Sequence, residues 1–271
     1  MELLPFDILY FHLGTKYPHA YNLLTRSNKY WHGKLEPLGD ELRKKWTRKV
    51  VAVFKDKHQK HLATLLPNGQ YHGEYTVHDT RNNRRIELIT YDNGVKHGKY
   101  EKNELRQIPG RYAVEHHFSS GSFVNGQLHG KWRVWNEVGG YEAWFTKGKL
   151  NGKEVIYQKN RRTIVQVTHY KDGLKHGIHQ KFNKDGAKIL ECKYNNDVLD
   201  GWYTEYVHTV FSKSRKHIHA HYSKGLLDGE KVFFGPNGSI IKIETWVQGG
   251  LYKTEQGRTL RNNGKSSRGR K

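Results

Sequence analysis

The sequence predicts a mainly β protein: an elongated single-layer antiparallel β-hairpin repeat array, preceded by a small α-helical N-terminal module. Two observations predict it. One short phrase recurs between residues 66 and 250: an aromatic residue, two further residues, Gly, three residues, then Gly again. The composition fits a thin repetitive sheet, because hydrophobic residues are only 35% of the chain while aromatic residues reach 13% and glycines number 28. A disordered chain of such polarity would be poor in rings, so the 17 Tyr, 10 Phe and 7 Trp indicate that most of the chain folds.

The phrase has five clean copies: YDNGVKHG from residue 91, FVNGQLHG from 123, FTKGKLNG from 145, YKDGLKHG from 170 and YSKGLLDG from 222. LPNGQYHG from residue 66, YNNDVLDG from 194 and WVQGGLYK from 246 depart from it at one position each while keeping its register. The first-glycine positions therefore advance by 25, 32, 22, 25, 24, 28 and 24 residues, which leaves room for insertions between turns. Asn-Gly, Asp-Gly and Lys-Gly suit the positive φ of tight hairpins, and Asp197 is a residue type that tolerates it. The expected turn glycines are Gly69, Gly73, Gly94, Gly98, Gly126, Gly130, Gly148, Gly152, Gly173, Gly177, Gly201, Gly225 and Gly229. Rings at fixed offsets from these turns, among them Tyr91, Phe123, Phe145, Tyr170, Tyr194, Tyr222 and Trp246, are expected to stack in ladders and form the core. Segments such as RTIVQVTHY and SIIKIETWV read as strands, and NKDG, GPNG and NEVGG supply a second turn within several units. A single unit cannot bury both faces, so neighbours must stack.

This iterated YxxGxxxG phrase resembles the MORN repeat, in the tandem form found in bacterial and large-DNA-virus proteins, over residues 60 to 256. The resemblance implies an extended antiparallel array of about seven or eight hairpins. It implies no single activity, because such arrays serve as scaffolds, as protein-binding surfaces and as proposed phospholipid contacts.

Residues 1–50 contain no copy of the phrase. Leu4-Pro5 ahead of Phe6-Asp7-Ile8-Leu9 reads as a helix entered through proline, and Tyr21, Leu24, Asn28 and Trp31 continue at helical spacing, as do Leu38, Leu42 and Trp46. LLPFDIL followed by YNLLTRSNKYWH is similar to an F-box. In that family the leading Leu-Pro and the apolar helix face bind a Skp-type adaptor of a cullin ubiquitin ligase, which would make Leu4, Pro5, Ile8, Leu9 and Trp31 the adaptor-binding residues. The other reading is that this module caps the first repeat and covers its open edge. Residues 51–256 are then the array, and 257–271 a basic disordered tail with Arg258, Arg261, Lys265, Arg268, Arg270 and Lys271 as candidate polyanion-binding residues.

The formal net charge is +21, so nucleic acid, anionic phospholipid and acidic protein are all admissible partners. A single cysteine, Cys192, excludes an internal disulfide and is expected to be packed rather than nucleophilic. The N-terminus lacks the basic start of a secretory signal and no run of 18 apolar residues occurs, so the expectation is a soluble intracellular protein, cytoplasmic or, if viral, of the virion. His217, His219 and His221 alternate, yet same-face positions on a strand lie about 6.5–7 Å apart, too far for three imidazoles to share one ion easily. His72, His97, His129 and His176 precede the second glycine where Asn151, Asp200 and Asp228 stand in other copies, which points to turn chemistry. HExxH, GxSxG and GxxxxGK[ST] motifs are absent. The sequence therefore predicts a non-enzymatic scaffold without metal or cofactor that recruits a protein partner. The competing expectation is a basic structural protein that coats nucleic acid or an anionic membrane. An uncapped last repeat could also pair copies into a homodimer.

Overall fold

The computed structural model describes residues 47–66, 69–107, 114–160, 162–209 and 212–257. Residues 1–46, where the sequence places the helical module with Leu4, Pro5, Ile8, Leu9 and Trp31, lie outside the described residues. So do residues 258–271, with the six tail cations. The described chain is β throughout, in seventeen strands whose pairings are all antiparallel, and it divides into two compact units between His129 and Gly130.

The first unit holds β1 (Arg48–Phe54), β2 (Gln59–Leu65), β3 (Gly73–Asp79), β4 (Arg85–Asp92), β5 (Val95–Gln107) and β6 (Val114–Val124), each paired with the next. β7 (Gln127–Trp135) contains the division. The second unit continues with β8 (Gly139–Thr146), β9 (Lys149–Gln158), β10 (Ile164–Lys171), β11 (Leu174–Phe182), β12 (Lys188–Asn195), β13 (Val198–Thr209), β14 (Ser212–Ser223), β15 (Leu226–Phe234), β16 (Ile240–Val247) and β17 (Gly250–Gln256). Each of these again pairs with its sequence neighbour.

The phrase forms the tight turns. Pairs such as Thr146↔Lys149 and Lys171↔Leu174 leave two residues at the tip, and both have positive φ: Lys147 and Gly148, Asp172 and Gly173, Asn196 and Asp197. That is the type I′ hairpin, whose twist matches the strands it joins. Six of the tips are also tied to the repeat before them, Gly126 by its N–H to the Lys96 carbonyl at 2.8 Å. The Gly94 N–H donates to the Tyr71 carbonyl, Gly173 to Leu150, Asp197 to Lys175, Gly225 to Leu199 and Gly249 to Leu227, at 2.8–2.9 Å. NKDG and GPNG close the second set of turns through Gly186 N–H to Asn183 O and Gly238 N–H to Gly235 O.

The buried centre is not made of the rings. Tyr91, Phe123, Phe145, Tyr170, Tyr194, Tyr222 and Trp246 are all half-buried. What is buried lies two residues before them. In the second unit the register links Trp132, Ala143, Glu154, Thr168, His179, Cys192, Tyr203, Ala220, Lys231 and Glu244 in one row across ten strands. Ala143, Thr168, Cys192 and Ala220, all small, are essentially inaccessible. Among the described residues no second layer packs on this sheet within the unit, so a residue is hidden when its same-face neighbours close over it. Small side chains sink and large ones form their walls. A second buried row, Val155, Val167, Thr204 and Val232, occupies the opposite face. The expectation of an aromatic core therefore needs correction: the rings shelter the core.

Candidate interaction face

All thirteen glycines expected to mark turns adopt positive φ, between 75° and 118°. They fall into two structural classes. The first glycine of each phrase sits at the hairpin tip. The second sits in the strand, and the register sets it opposite the ring of the following repeat: Gly73↔Tyr91, Gly98↔Phe123, Gly130↔Phe145, Gly152↔Tyr170, Gly177↔Tyr194, Gly201↔Tyr222 and Gly229↔Trp246.

The second glycine also shapes the other face of the sheet. The residue preceding each ring lies against it: Thr90 over Gly98, Trp144 over Gly152, His169 over Gly177, Lys193 over Gly201 and His221 over Gly229, at 3.1–3.5 Å from where a Cβ would stand. Cross-strand pairs link these floors, namely Lys131↔Trp144, Lys153↔His169, Ile178↔Lys193 and Trp202↔His221. The result in the second unit is one row, from β7 to β14, of Lys131, Trp144, Lys153, His169, Ile178, Lys193, Trp202 and His221, cationic and ring-bearing side chains with Ile178 among them.

The row is accessible. Trp202 is 57% exposed and Trp144 38%, although tryptophan is usually covered in a folded protein. Trp202 stacks on His219 with ring centroids 4.5 Å apart and planes 10° apart, while His221 meets its edge at 4.9 Å. Lys131 lies over the Trp144 ring at 4.9 Å. His169 and His221 each donate from Nδ1, to the carbonyls of Ile178 and Asp228 at 2.9 Å, which leaves Nε2 outward. His219 bonds the Thr204 hydroxyl through Nδ1 at 2.8 Å, and burial, helped by Lys216, lowers its pKa. It is therefore a neutral stacking partner.

The acids beside the row are already matched by cations. Burial works to raise the Glu142 carboxyl, yet Lys131 at 2.7 Å and Arg133 at 3.1 Å hold it below the usual range. Glu191 is lowered by its bonds to Lys188 and Gln180. Lys153 and Lys193 are exposed and have no ion pair among the described residues. Glu230, also exposed, follows Gly229 and ends the row.

The first unit offers a cavity of about 360 Å³ lined by Lys57, His61, Asp79, Arg81, Arg84 and Lys102 with others. Its charges are largely internally paired: the hydrogen bond from Arg81 holds Asp79 down at about 2, and Lys102 reaches Glu104 at 3.6 Å.

Two of the histidines before the second glycine, His72 and His97, are acceptors for the next turn, whereas His176 Nδ1 is buried without a hydrogen bond. The Asn93 N–H donates to His72 Nδ1 and the Asn125 N–H to His97 Nδ1, as the Gln248 N–H does to Asp228 Oδ1. Histidine and aspartate share that capacity, while Asn151 at the same slot donates its Nδ2 to Asp172 and Asp200 accepts from Asn195. Cys192 is free, and burial raises its thiol pKa. His219 and His221 share a face but are bonded separately, around Trp202.

Sequence reasoning missed Trp144 and Trp202. The signal was present as a column, the residues one before each ring and one after each second glycine. Its chemistry changes from repeat to repeat, so no motif search collects it. Neither a protein-family model nor a curated protein matches this chain.

Proposed function

We propose that this chain is a non-enzymatic interaction scaffold of the MORN type, in which the repeat array holds a partner on the tryptophan–lysine face of its second unit. One observation carries the reading. The repeated glycines, rings and turn acceptors are consumed by the fold, while the row beside them is chemically unconstrained by it. Position by position, the residue before the ring is Thr90, Ser122, Trp144, His169, Lys193, His221 or Thr245, and the residue after the second glycine is Glu74, Lys99, Lys131, Lys153, Ile178, Trp202 or Glu230. A backbone that accepts Thr and Ser at a site does not require Trp there. Exposed tryptophan at a position the fold leaves open is what a binding surface selects.

The F-box resemblance supports the second half of the reading: Leu4, Pro5, Ile8, Leu9 and Trp31 connect the scaffold to a Skp-type adaptor, and so to a cullin ubiquitin ligase. Full-length protein should co-purify with the adaptor, and alanine at Leu4, Pro5 and Ile8 should abolish this. Adaptor binding that survives the triple substitution, or that never occurs, ends the ligase reading. Loss of a captured partner on substitution of Trp202 and Trp144, with the adaptor retained, is the expected signature of the array half.

A further inference from the structure

We infer that the row Lys131, Trp144, Lys153, His169, Lys193 and Trp202 is a binding track for single-stranded nucleic acid. This rests on the scaffold reading of the array and goes beyond it by naming the partner's chemistry.

A single strand is held by two things, cations that follow its phosphates and flat rings that accept unpaired bases whatever their sequence. Both occur here in one row. Trp202 is braced by the neutral His219 ring at 4.5 Å and at its edge by His221, which fixes the indole plane while more than half of the residue stays exposed. Trp144 is fixed at its base by contact with Gly152 and at its face by Lys131. Between the two tryptophans stand Lys153 and Lys193, exposed and unneutralised. The nearest acids do not reach these two lysines: Glu191 is bonded to Lys188, and Glu142 to Arg133 and to Lys131 of the row, whose charge it offsets.

Dimensions agree. Trp144 on β8 and Trp202 on β13 are five strand spacings apart, about 24 Å, a span of several nucleotides and within the site sizes of about 4–16 nucleotides seen on other sheet platforms. The breadth of the sheet also selects against a duplex. An α-helix or a two-stranded ribbon enters the major groove, whereas a sheet ten strands wide does not. An anionic bilayer would meet the same lysines, but these tryptophans lie on the sheet rather than at projecting turn tips.

The test uses full-length protein and fluorescence anisotropy with labelled oligothymidylate and oligouridylate of about twelve nucleotides, alongside a duplex of equal length and phosphatidylserine vesicles. The expected result is binding to the single strands, quenching of tryptophan fluorescence, and an affinity loss of about tenfold for Trp202→Ala and again for Trp144→Ala. Weak residual duplex binding should be unchanged in both variants. Trp202→Phe should recover part of the loss, and Lys153→Glu with Lys193→Glu should flatten the salt dependence. Unchanged thermal midpoints certify that the variants are folded, as exposed side chains allow. The inference is overturned if the tryptophan variants bind single strands like the parent, if the duplex binds equally well, or if only vesicles bind. The two oligonucleotides tell DNA from RNA as the source. Should nucleic acid fail while a protein partner is still lost from the same variants, this inference falls and the scaffold reading stands.

Discussion

Gly140 lies against the Cε3–Cζ3 edge of the Trp135 ring. The two residues are register partners across β7 and β8, and a Cβ at position 140 would stand 1.7 Å from Cζ3 and 2.0 Å from Cε3 of the indole. Tyr157 closes the other side, paired with Gly140 across β8 and β9 and 5.1 Å from Trp135 between ring centroids. Two rings thus shelter a bare stretch of backbone, the role that side chains of a second sheet play elsewhere.

Gly140→Ala should therefore be among the most damaging single-methyl additions in the chain. Its φ is not positive, so the cost is steric: the ring must leave its place, at about 2–3 kcal/mol. Gly173 provides the contrast, with φ of 93° and nothing within 4 Å of a Cβ. Gly173→Ala should cost only the left-handed backbone penalty of about 1–2 kcal/mol. Urea denaturation of both variants checks the order, and equal costs would mean that Trp135 moves aside freely.

The acceptor before the second glycine makes a smaller prediction. Asp228→Leu removes the acceptor for the Gln248 N–H at an exposed turn and should cost about 0.5–1 kcal/mol. Asp228→Asn retains an acceptor oxygen and should be neutral to within about 0.5 kcal/mol. A scan at this slot in which Leu is as stable as Asn would remove the turn-acceptor explanation for its histidines.

These contrasts mark how far the sequence was legible. The turns could be read because glycine, asparagine and aspartate owe their positions to φ, which is local. The core could not, because which residues are hidden depends on cross-strand neighbours. Ala143 and Thr168 are buried because Glu154 and the flanking rows wall them in, and the phrase names none of these. Rings at fixed offsets look like a core when two layers are assumed. In the sheet of the second unit they remain half-exposed. The binding row is harder still to see, since Trp144 and Trp202 stand at different offsets from their turns and become neighbours of one track only through register.

His179 makes stability depend on pH. Burial, reinforced by Lys175 and Lys181, lowers its pKa to about 4, and its Nδ1 lies 3.0 Å from the Thr168 hydroxyl. Above the unfolded value of about 6.5 neither state binds the proton, and the full stability is present. As pH falls from there the unfolded chain protonates first, while the folded one resists until about 4, so stability is lost across that window and no further below it. The loss should be on the order of 3 kcal/mol, with His219 adding in the same direction. Urea midpoints at pH 7.5 and pH 4.5 measure it. His179→Gln should shrink the difference, and an undiminished difference would place the acid sensitivity elsewhere.

Tyrosine sets the alkaline limit by the opposite sign. Burial first, and then Glu154, push Tyr141 and Tyr170 up to about 12. Their folded pKa lies above the unfolded value of about 10, so the associated stability is present below 10 and lost as pH climbs from 10 toward 12. Ultraviolet titration should show these tyrosines ionising late, and Glu154→Gln should bring them down. Ionisation of every tyrosine near 10 in the folded protein would contradict the burial of this face.

The buried row itself can be tested by exchanging its members. Its small positions carry Ala143, Thr168, Cys192 and Ala220, and its walls carry Glu154, His179, Tyr203 and Lys231. If the repeats are equivalent, a residue that fits one small position fits the others. Cys192→Ala and Cys192→Thr should then each cost less than about 1.5 kcal/mol, whereas Cys192→Leu, an ordinary apolar choice for a two-layer core, should cost about 1–3 kcal/mol by forcing His179 and Tyr203 apart. Thermal denaturation of the three variants decides. Leucine tolerated as well as threonine would mean that the row is loosely closed, and that small size at these positions is not what the array requires.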